Sequence, residues 1–158
     1  MPGGDEISSR GGGEEAVSRK EDNKVLVIPC SGIGKAFGSV AREAMYMIVE
    51  ELRPEETETV CLSLLTLGDE EAKDRVRSHP VITIDGCAQA CAEENVKGVG
   101  GRSVANFRVV DTYREHRELK VKSVLHPGEA GRKLAHILAR KVASQVDAVK
   151  AKEEMIDG

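Results

Sequence analysis

Four cysteines, Cys30, Cys61, Cys87 and Cys91, are the residues of this sequence best suited to chemistry. Cysteine thiolates bind zinc, copper(I) and iron–sulfur clusters, and they also act as nucleophiles or redox partners. Cys87 and Cys91 are separated so that a helix between them would place both on one face. Their spacing is not the CxxC pair of zinc ribbons, and a single free cysteine is often only a small buried side chain. A metal-site hypothesis therefore depends on whether the fold brings the four together.

The pattern of apolar and polar segments predicts a fold in which strands and helices alternate. Apolar, β-branched runs predict strands at residues 24–29, 59–65, 80–85 and 104–110. Helical spacing and end signals predict helices at residues 36–52, 68–78, 88–97 and 128–149. Such alternation predicts a single-domain, three-layer α/β/α fold with a parallel sheet of about four strands.

The predicted sheet would gather the cysteines at one edge. Sites in parallel sheets lie beyond the carboxyl ends of the strands. Cys30 directly follows the first predicted strand, Cys61 lies in or near the end of the second, and Cys87 follows the third. Cys91 is one helical turn further along. We therefore expect all four to hold one metal ion at the carboxyl edge, with zinc as the favoured metal and an iron–sulfur cluster as the alternative.

Short sequence motifs around these cysteines resemble a known family. Ile84-Asp85-Gly86-Cys87 is followed by Cys91, and a strand ending in Pro29-Cys30-Ser31-Gly32-Ile33-Gly34-Lys35 precedes a strand that bears Cys61. In this order they are similar to the DGC-domain family of zinc-binding proteins, named for its Asp-Gly-Cys motif, over roughly residues 24–145. The resemblance implies zinc binding through four chelating cysteines, and it implies no particular reaction.

The loop after the first predicted strand supports a second hypothesis. Gly32, Gly34 and Lys35 precede a predicted helix, and backbone N–H groups at such a start can bind an anion. The loop is not a Walker A motif, because Ala36 follows Lys35. The alternative function is a thiol-dependent enzyme with Cys30 as the nucleophile in this anion-binding loop. The glycines are equally suited to a plain turn. In either case Lys35 is a cation that would lower the pKa of nearby thiols, or else a solvated side chain at the helix start.

Two other residues have open interpretations. Asp85 either shapes the turn before Gly86 or accepts a hydrogen bond behind a metal ligand. Among the histidines, His126 is the weak candidate for a replacement ligand, since it precedes the closing helix and could face the cysteine edge.

Composition bounds the class of protein. The 158 residues carry a net charge of -4 without a basic cluster, which argues against nucleic-acid binding. No apolar run is long enough for a membrane helix, and no secretory signal is visible, so we expect a cytoplasmic protein whose cysteines are ligands or free thiols. A protein partner at the metal site is compatible with this reading. We expect a disordered tail at residues 1–23, the metal-binding domain at 24–150 and a disordered end at 151–158.

Overall fold

The structure of the protein is a computed structural model that describes residues 23–30, 32, 34–156 and 158. Its four strands are β1 (Val25–Pro29), β2 (Thr57–Glu58), β3 (Pro80–Asp85) and β4 (Arg102–Arg108). The described residues form six α-helices: α1 (Ala36–Tyr46), α2 (Leu62–Leu67), α3 (Glu70–Ser78), α4 (Cys91–Gly98), α5 (Val109–Glu115) and α6 (Gly128–Ile156). A π-helical segment, Met47–Leu52, extends α1.

The helices cover both faces of the sheet. Helices α1, α5 and α6 pack together on one face, and α2, α3 and α4 occupy the other. Every residue of β1 and β3 is buried, as expected for central strands of a parallel sheet covered on both sides. The predicted single-domain, three-layer α/β/α class is confirmed.

The strand order creates a switch point beside β1. The sheet is entirely parallel, in the order β2-β1-β3-β4. The chain leaves β1 for the edge strand β2 and then returns to β3 on the other side of β1. In open parallel sheets, ligands bind beyond the carboxyl ends of the strands at such a reversal. The carboxyl ends of β1 and β3 therefore form the expected position of a site.

The second predicted strand, residues 59–65, is wrong, since none of these residues is in a strand. Strand β2 is only Thr57–Glu58, and the apolar run that follows Cys61 is the helix α2. Leu62 and Leu65 are buried, whereas Leu67 is exposed, which is the spacing of a helix face and not the alternation of a strand. A short continuous apolar run does not distinguish the two by periodicity alone.

The other differences concern segment ends. The fourth strand begins and ends two residues earlier than predicted, and α5 occupies part of a stretch that the sequence left unassigned. Helix α6 runs to Ile156, through much of the predicted disordered end, and Glu153 pairs with Arg102 of β4 at 3.2 Å.

Most of the predicted N-terminal tail lies outside the described residues. No helix in the described part of the chain is long and apolar enough to cross a membrane.

Two leucine substitutions test the helical assignment of α2. Leu65→Ala should lower the free energy of unfolding by about 2–4 kcal/mol, because it removes a buried side chain. Leu67→Ala should change it by about 0.5 kcal/mol or less, since 81% of that residue is exposed. Urea denaturation measures both. Similar losses would contradict the helix, because in a strand positions 65 and 67 share one face.

Candidate metal centre

A cavity of about 410 Å³ opens at the switch point, beyond the carboxyl ends of β1 and β3. Three of the four cysteines, Cys30, Cys87 and Cys91, line it. The rest of the lining is mostly apolar, with polar side chains at a few positions: Gly32, Lys35, Ala36, Phe37, Gly38, Asp85, Gly86, Gln89, Ala90 and Val121. The structure thus brings together thiols from the ends of two neighbouring strands, as the sequence analysis predicted for this edge.

Cys30 is the innermost of the three thiols. Only 8% of the residue is exposed, and its Sγ accepts a hydrogen bond from the backbone N–H of Gly86 at 3.3 Å. Burial raises the pKa of the Cys30 thiol, and the negative charges of Asp85, Cys91 and Cys87 raise this pKa further, against the opposing effect of the Gly86 hydrogen bond. Without a metal ion, Cys30 is therefore a protonated thiol near neutral pH and a poor nucleophile.

Close backbone contact between glycines forms the wall behind Cys30. A Cβ atom on Gly32, which has a φ of +62°, would lie 2.3 Å from the Cα of Gly38 in α1. A Cβ atom on Gly86 would lie 3.0 Å from the backbone N of Gly38. The loop after β1, the start of α1 and the turn after β3 can approach this closely only because all three positions lack side chains.

The predicted anion-binding residues have different surroundings. Gly32 and Lys35 line the cavity, whereas Gly34 is exposed and a Cβ on it would meet nothing within 4 Å. The Lys35 ammonium donates a hydrogen bond to Gln89 Oε1 at 3.0 Å, and the Cys87 thiol lies 3.9 Å from the same oxygen. Lys35 therefore places a positive charge beside the thiols, through a residue, Gln89, that the sequence analysis did not single out.

Asp85 is a buried carboxylate that holds the start of α4. Its Oδ1 accepts from the N–H of Ala92 at 2.8 Å, and its Oδ2 accepts from the N–H of Glu93 at 3.2 Å and from Asn106 Nδ2 at 2.9 Å. Asp85 thus caps the helix that begins at Cys91, from the end of the preceding strand. The sequence suggested that Asp85 either shapes a turn or accepts a hydrogen bond behind a metal ligand. In the structure it accepts hydrogen bonds from two backbone N–H groups and from the Asn106 side chain.

Glu93 joins α4 to the sheet at a second point. Its carboxylate accepts from Thr83 Oγ1 at 2.8 Å and from Ser103 Oγ at 2.6 Å, and it pairs with Lys97. Burial alone would raise the pKa of Glu93, but the hydrogen bonds from these three side chains outweigh it and lower that pKa. With Asp85 and Glu93 both anchored, α4 presents Cys91 from a fixed position.

Ala90 gives the turn between Cys87 and Cys91 an unusual backbone conformation. Its φ of 50° and ψ of 45° lie in the left-handed region, which costs a residue with a Cβ about 1 kcal/mol. The N–H of Ala90 also donates to the carbonyl oxygen of Cys87 at 3.2 Å. This tight turn makes both cysteines part of the same cavity wall.

Cys61 lies outside the cavity lining. It is exposed and immediately precedes α2, three residues after β2 ends at Glu58. Helix α2 packs against α4, and Thr66 Oγ1 donates to Asn95 Oδ1 at 3.3 Å. Because both helices start at the carboxyl edge, Cys61 and Cys91 occupy the beginnings of adjoining helices.

The described residues contain no group of three or more His, Cys, Asp or Glu side chains already assembled to hold a metal ion. Ligation by Cys30, Cys61, Cys87 and Cys91 accordingly stays a prediction. The donor chemistry of the cavity nevertheless fits a soft metal, since three of its lining residues are thiols. His126 is exposed and lines a separate depression with residues of α1.

Sequence reasoning missed the apolar part of this cavity. Phe37, at the start of α1, stacks at an angle on Tyr113 of α5, with ring centroids 5.1 Å apart. Val121 comes from the segment that the sequence left unassigned. Because aromatic residues are scarce in this chain, Phe37 could have been singled out from the sequence as a candidate cavity residue. Nothing local in the sequence marks Val121 in this way.

The family model for the DGC domain matches residues 26–136, a span that contains every residue lining the cavity. The chain belongs to the DGC domain family. The resemblance stated from the Asp-Gly-Cys motif is confirmed, and membership of the DGC family supports a metal-binding role without identifying the metal. Searches of curated proteins and of solved structures found no match.

A pair of substitutions tests the role of Asp85 in this DGC domain. Asp85→Asn should lower the free energy of unfolding by about 2–3 kcal/mol, because an amide cannot accept from all three donors and leaves a buried N–H unpaired. The matched control is Asp69→Asn. Asp69 caps α3 through a single hydrogen bond, which its Oδ1 accepts from the N–H of Ala72. Asparagine is an equally good cap there, so the loss should be about 0.5 kcal/mol or less. Equal losses in urea denaturation would show that Asp85 is an ordinary cap.

Proposed function

We propose that this DGC domain protein binds one zinc ion through cysteine thiolates at the switch point of its sheet. Cys30, Cys87 and Cys91 would provide three ligands and Cys61 the fourth. The observation that carries this proposal is that three cysteines from two distant parts of the chain, Cys30 and the pair Cys87 and Cys91, line one cavity. Zinc takes four ligands, and all-cysteine sets are common in its structural sites.

The groups around the three thiols would stabilise them as thiolates, the charged form in which cysteine binds a metal ion. The N–H of Gly86 already donates to Cys30 Sγ, and such a bond favours the thiolate that a metal requires. Lys35 adds a positive charge in the cavity wall. Asp85 positions the first turn of α4, and with it Cys91, in the way that supporting hydrogen bonds orient metal ligands.

The fourth ligand would come from the neighbouring helix. Helix α2 packs on α4, and the two helices begin at the same edge of the sheet, with Cys61 just before α2 and Cys91 as the first residue of α4. A bound zinc ion would cross-link the end of β1 to the first turns of α2 and α4. Its binding energy would add to folding stability. An iron–sulfur cluster is the alternative for the same thiols.

Burial weighs against the alternative function, a thiol-dependent enzyme with Cys30 as its nucleophile. A reactive cysteine is partly exposed and has a lowered pKa, whereas Cys30 is buried with a raised pKa. Anion binding by the loop of Gly32, Gly34 and Lys35 would be weak. Lys35 supports it, and the charge of the thiolates opposes it.

Metal content in cysteine variants tests the proposal. Purified protein should carry about one zinc per chain, and Cys30→Ser, Cys87→Ser and Cys91→Ser should each carry much less after gel filtration. The control is Gln89→Ala, which alters the same cavity wall without removing a soft donor and should keep its zinc. Elemental analysis gives the stoichiometry, and circular dichroism checks that each variant is folded.

Undiminished zinc in all three cysteine variants would contradict the proposed site. Alkylation of the metal-free protein by iodoacetamide distinguishes the alternative function. We expect the exposed residues Cys61 and Cys91 to react first and Cys30 last. Rapid alkylation of Cys30 in protein that carries no metal would favour the thiol-dependent enzyme instead.

A further inference from the structure

We propose that Cys61 is the exchangeable ligand of this metal site and that a small thiol bearing a carboxylate replaces it from the cavity. This inference rests on the proposed function and deepens it, because it gives the site a ligand class. It follows from the unequal way in which the four cysteines are held and from the chemistry of the cavity walls.

Cys30 and Cys91 are held rigidly. Cys30 is buried at the end of a central strand, with its sulfur bonded to Gly86. Cys91 begins a helix whose first turn is fixed to the sheet by the carboxylates of Asp85 and Glu93. A metal ion held by these two residues and by Cys87 would face the cavity that all three line.

Cys61 is held much less firmly. It is exposed, it precedes a helix of six residues, and it follows an edge strand of two residues. Among the described residues, Thr66 to Asn95 is the side-chain hydrogen bond that joins α2 to another helix. Short elements with few anchoring bonds open at low free energy. Cys61 is therefore the ligand that can leave while the other three stay in place.

The cavity fits a small organic ligand. Its volume of about 410 Å³ lies in the range of small-molecule sites. Phe37 and Val121 provide apolar walls, and the Lys35 ammonium beside Gln89 provides a positive charge. Asp85 is the acidic residue of the lining, but its oxygens accept three N–H bonds that offset its charge. This combination favours a compact ligand with a carboxylate for Lys35 and a sulfur atom for the metal.

The exchange balances without any oxidant or reductant. The incoming thiol would lose its proton on becoming a ligand, and Cys61 would take up a proton on leaving, so that one metal–sulfur bond would replace another. The charge of the four-sulfur set is unchanged. The extra charge is that of the ligand carboxylate, and Lys35 is placed to offset it.

Cobalt(II) in place of zinc makes the sulfur ligands visible by their charge-transfer absorption. The test compares Cys61→Ser with Cys91→Ser in the full chain, since both remove an exposed cysteine at the start of one of two adjoining helices. We expect Cys61→Ser to keep one cobalt with a weaker charge-transfer band, and Cys91→Ser to bind cobalt at least about tenfold more weakly.

The ligand is then supplied as 3-mercaptopropionate. It should restore the charge-transfer band of the Cys61→Ser protein with saturation at one ligand per cobalt, and the unsubstituted protein should need at least about tenfold more ligand. Adding Lys35→Met to Cys61→Ser should weaken 3-mercaptopropionate binding about three- to fivefold, the effect of one exposed ion pair. Binding of 2-mercaptoethanol, which has no carboxylate, should be unaffected by Lys35→Met.

Two results would overturn the inference while leaving metal binding intact: loss of cobalt from Cys61→Ser as severe as from Cys91→Ser, or no response of the Cys61→Ser spectrum to 3-mercaptopropionate. Equal effects of Lys35→Met on the two thiols would overturn the carboxylate requirement. Failure of the unsubstituted protein to bind either cobalt or zinc would instead defeat the proposed function itself, and the inference with it.

Discussion

The buried carboxylate of Asp85 fixes the geometry on which the candidate site depends. Its oxygens accept hydrogen bonds from the N–H groups of Ala92 and Glu93 at the start of α4 and from the side-chain amide of Asn106 on β4. Hydrogen bonds to a charged acceptor contribute about 1.5–3 kcal/mol each, so the carboxylate stabilises the junction of two strands and a helix strongly. Cys91 is the first residue of that helix, and its position follows from this junction.

The three residues of the Asp-Gly-Cys motif therefore have three separate physical roles. Asp85 caps α4, Gly86 lets the turn press against the backbone of Gly38, and Cys87 lines the cavity. A side chain larger than hydrogen at the middle position would push the end of β3 away from α1. The N–H of that same glycine donates to Cys30 Sγ, which links the motif to the end of β1.

Much of this could be predicted from the sequence, because it depended on local patterns. The buried β-branched runs of β1 and β3 identified the two central strands, and parallel topology then placed Cys30 and Cys87 at one edge. Cys61 was predicted in or near a strand and instead lies just before a helix, since a short apolar run fits a strand or a helix equally well.

The supporting interactions could not be predicted, for a physical reason. Asp85 caps a helix that begins six residues later, after a turn whose path is set by the left-handed conformation of Ala90. Val121 reaches the cavity from a segment with no regular pattern. The cap depends on the path of that turn and Val121 on how distant parts of the chain meet, and neither leaves a local pattern in the sequence.

The position of the metal ion tests the central claim most directly. Anomalous diffraction at the zinc edge, from crystals of the zinc-loaded protein, should show one strong peak about 2.3 Å from the sulfur atoms of Cys30, Cys87 and Cys91. A fully occupied zinc peak elsewhere on the protein, with the Cys30 sulfur still bonded only to the N–H of Gly86, would contradict the account.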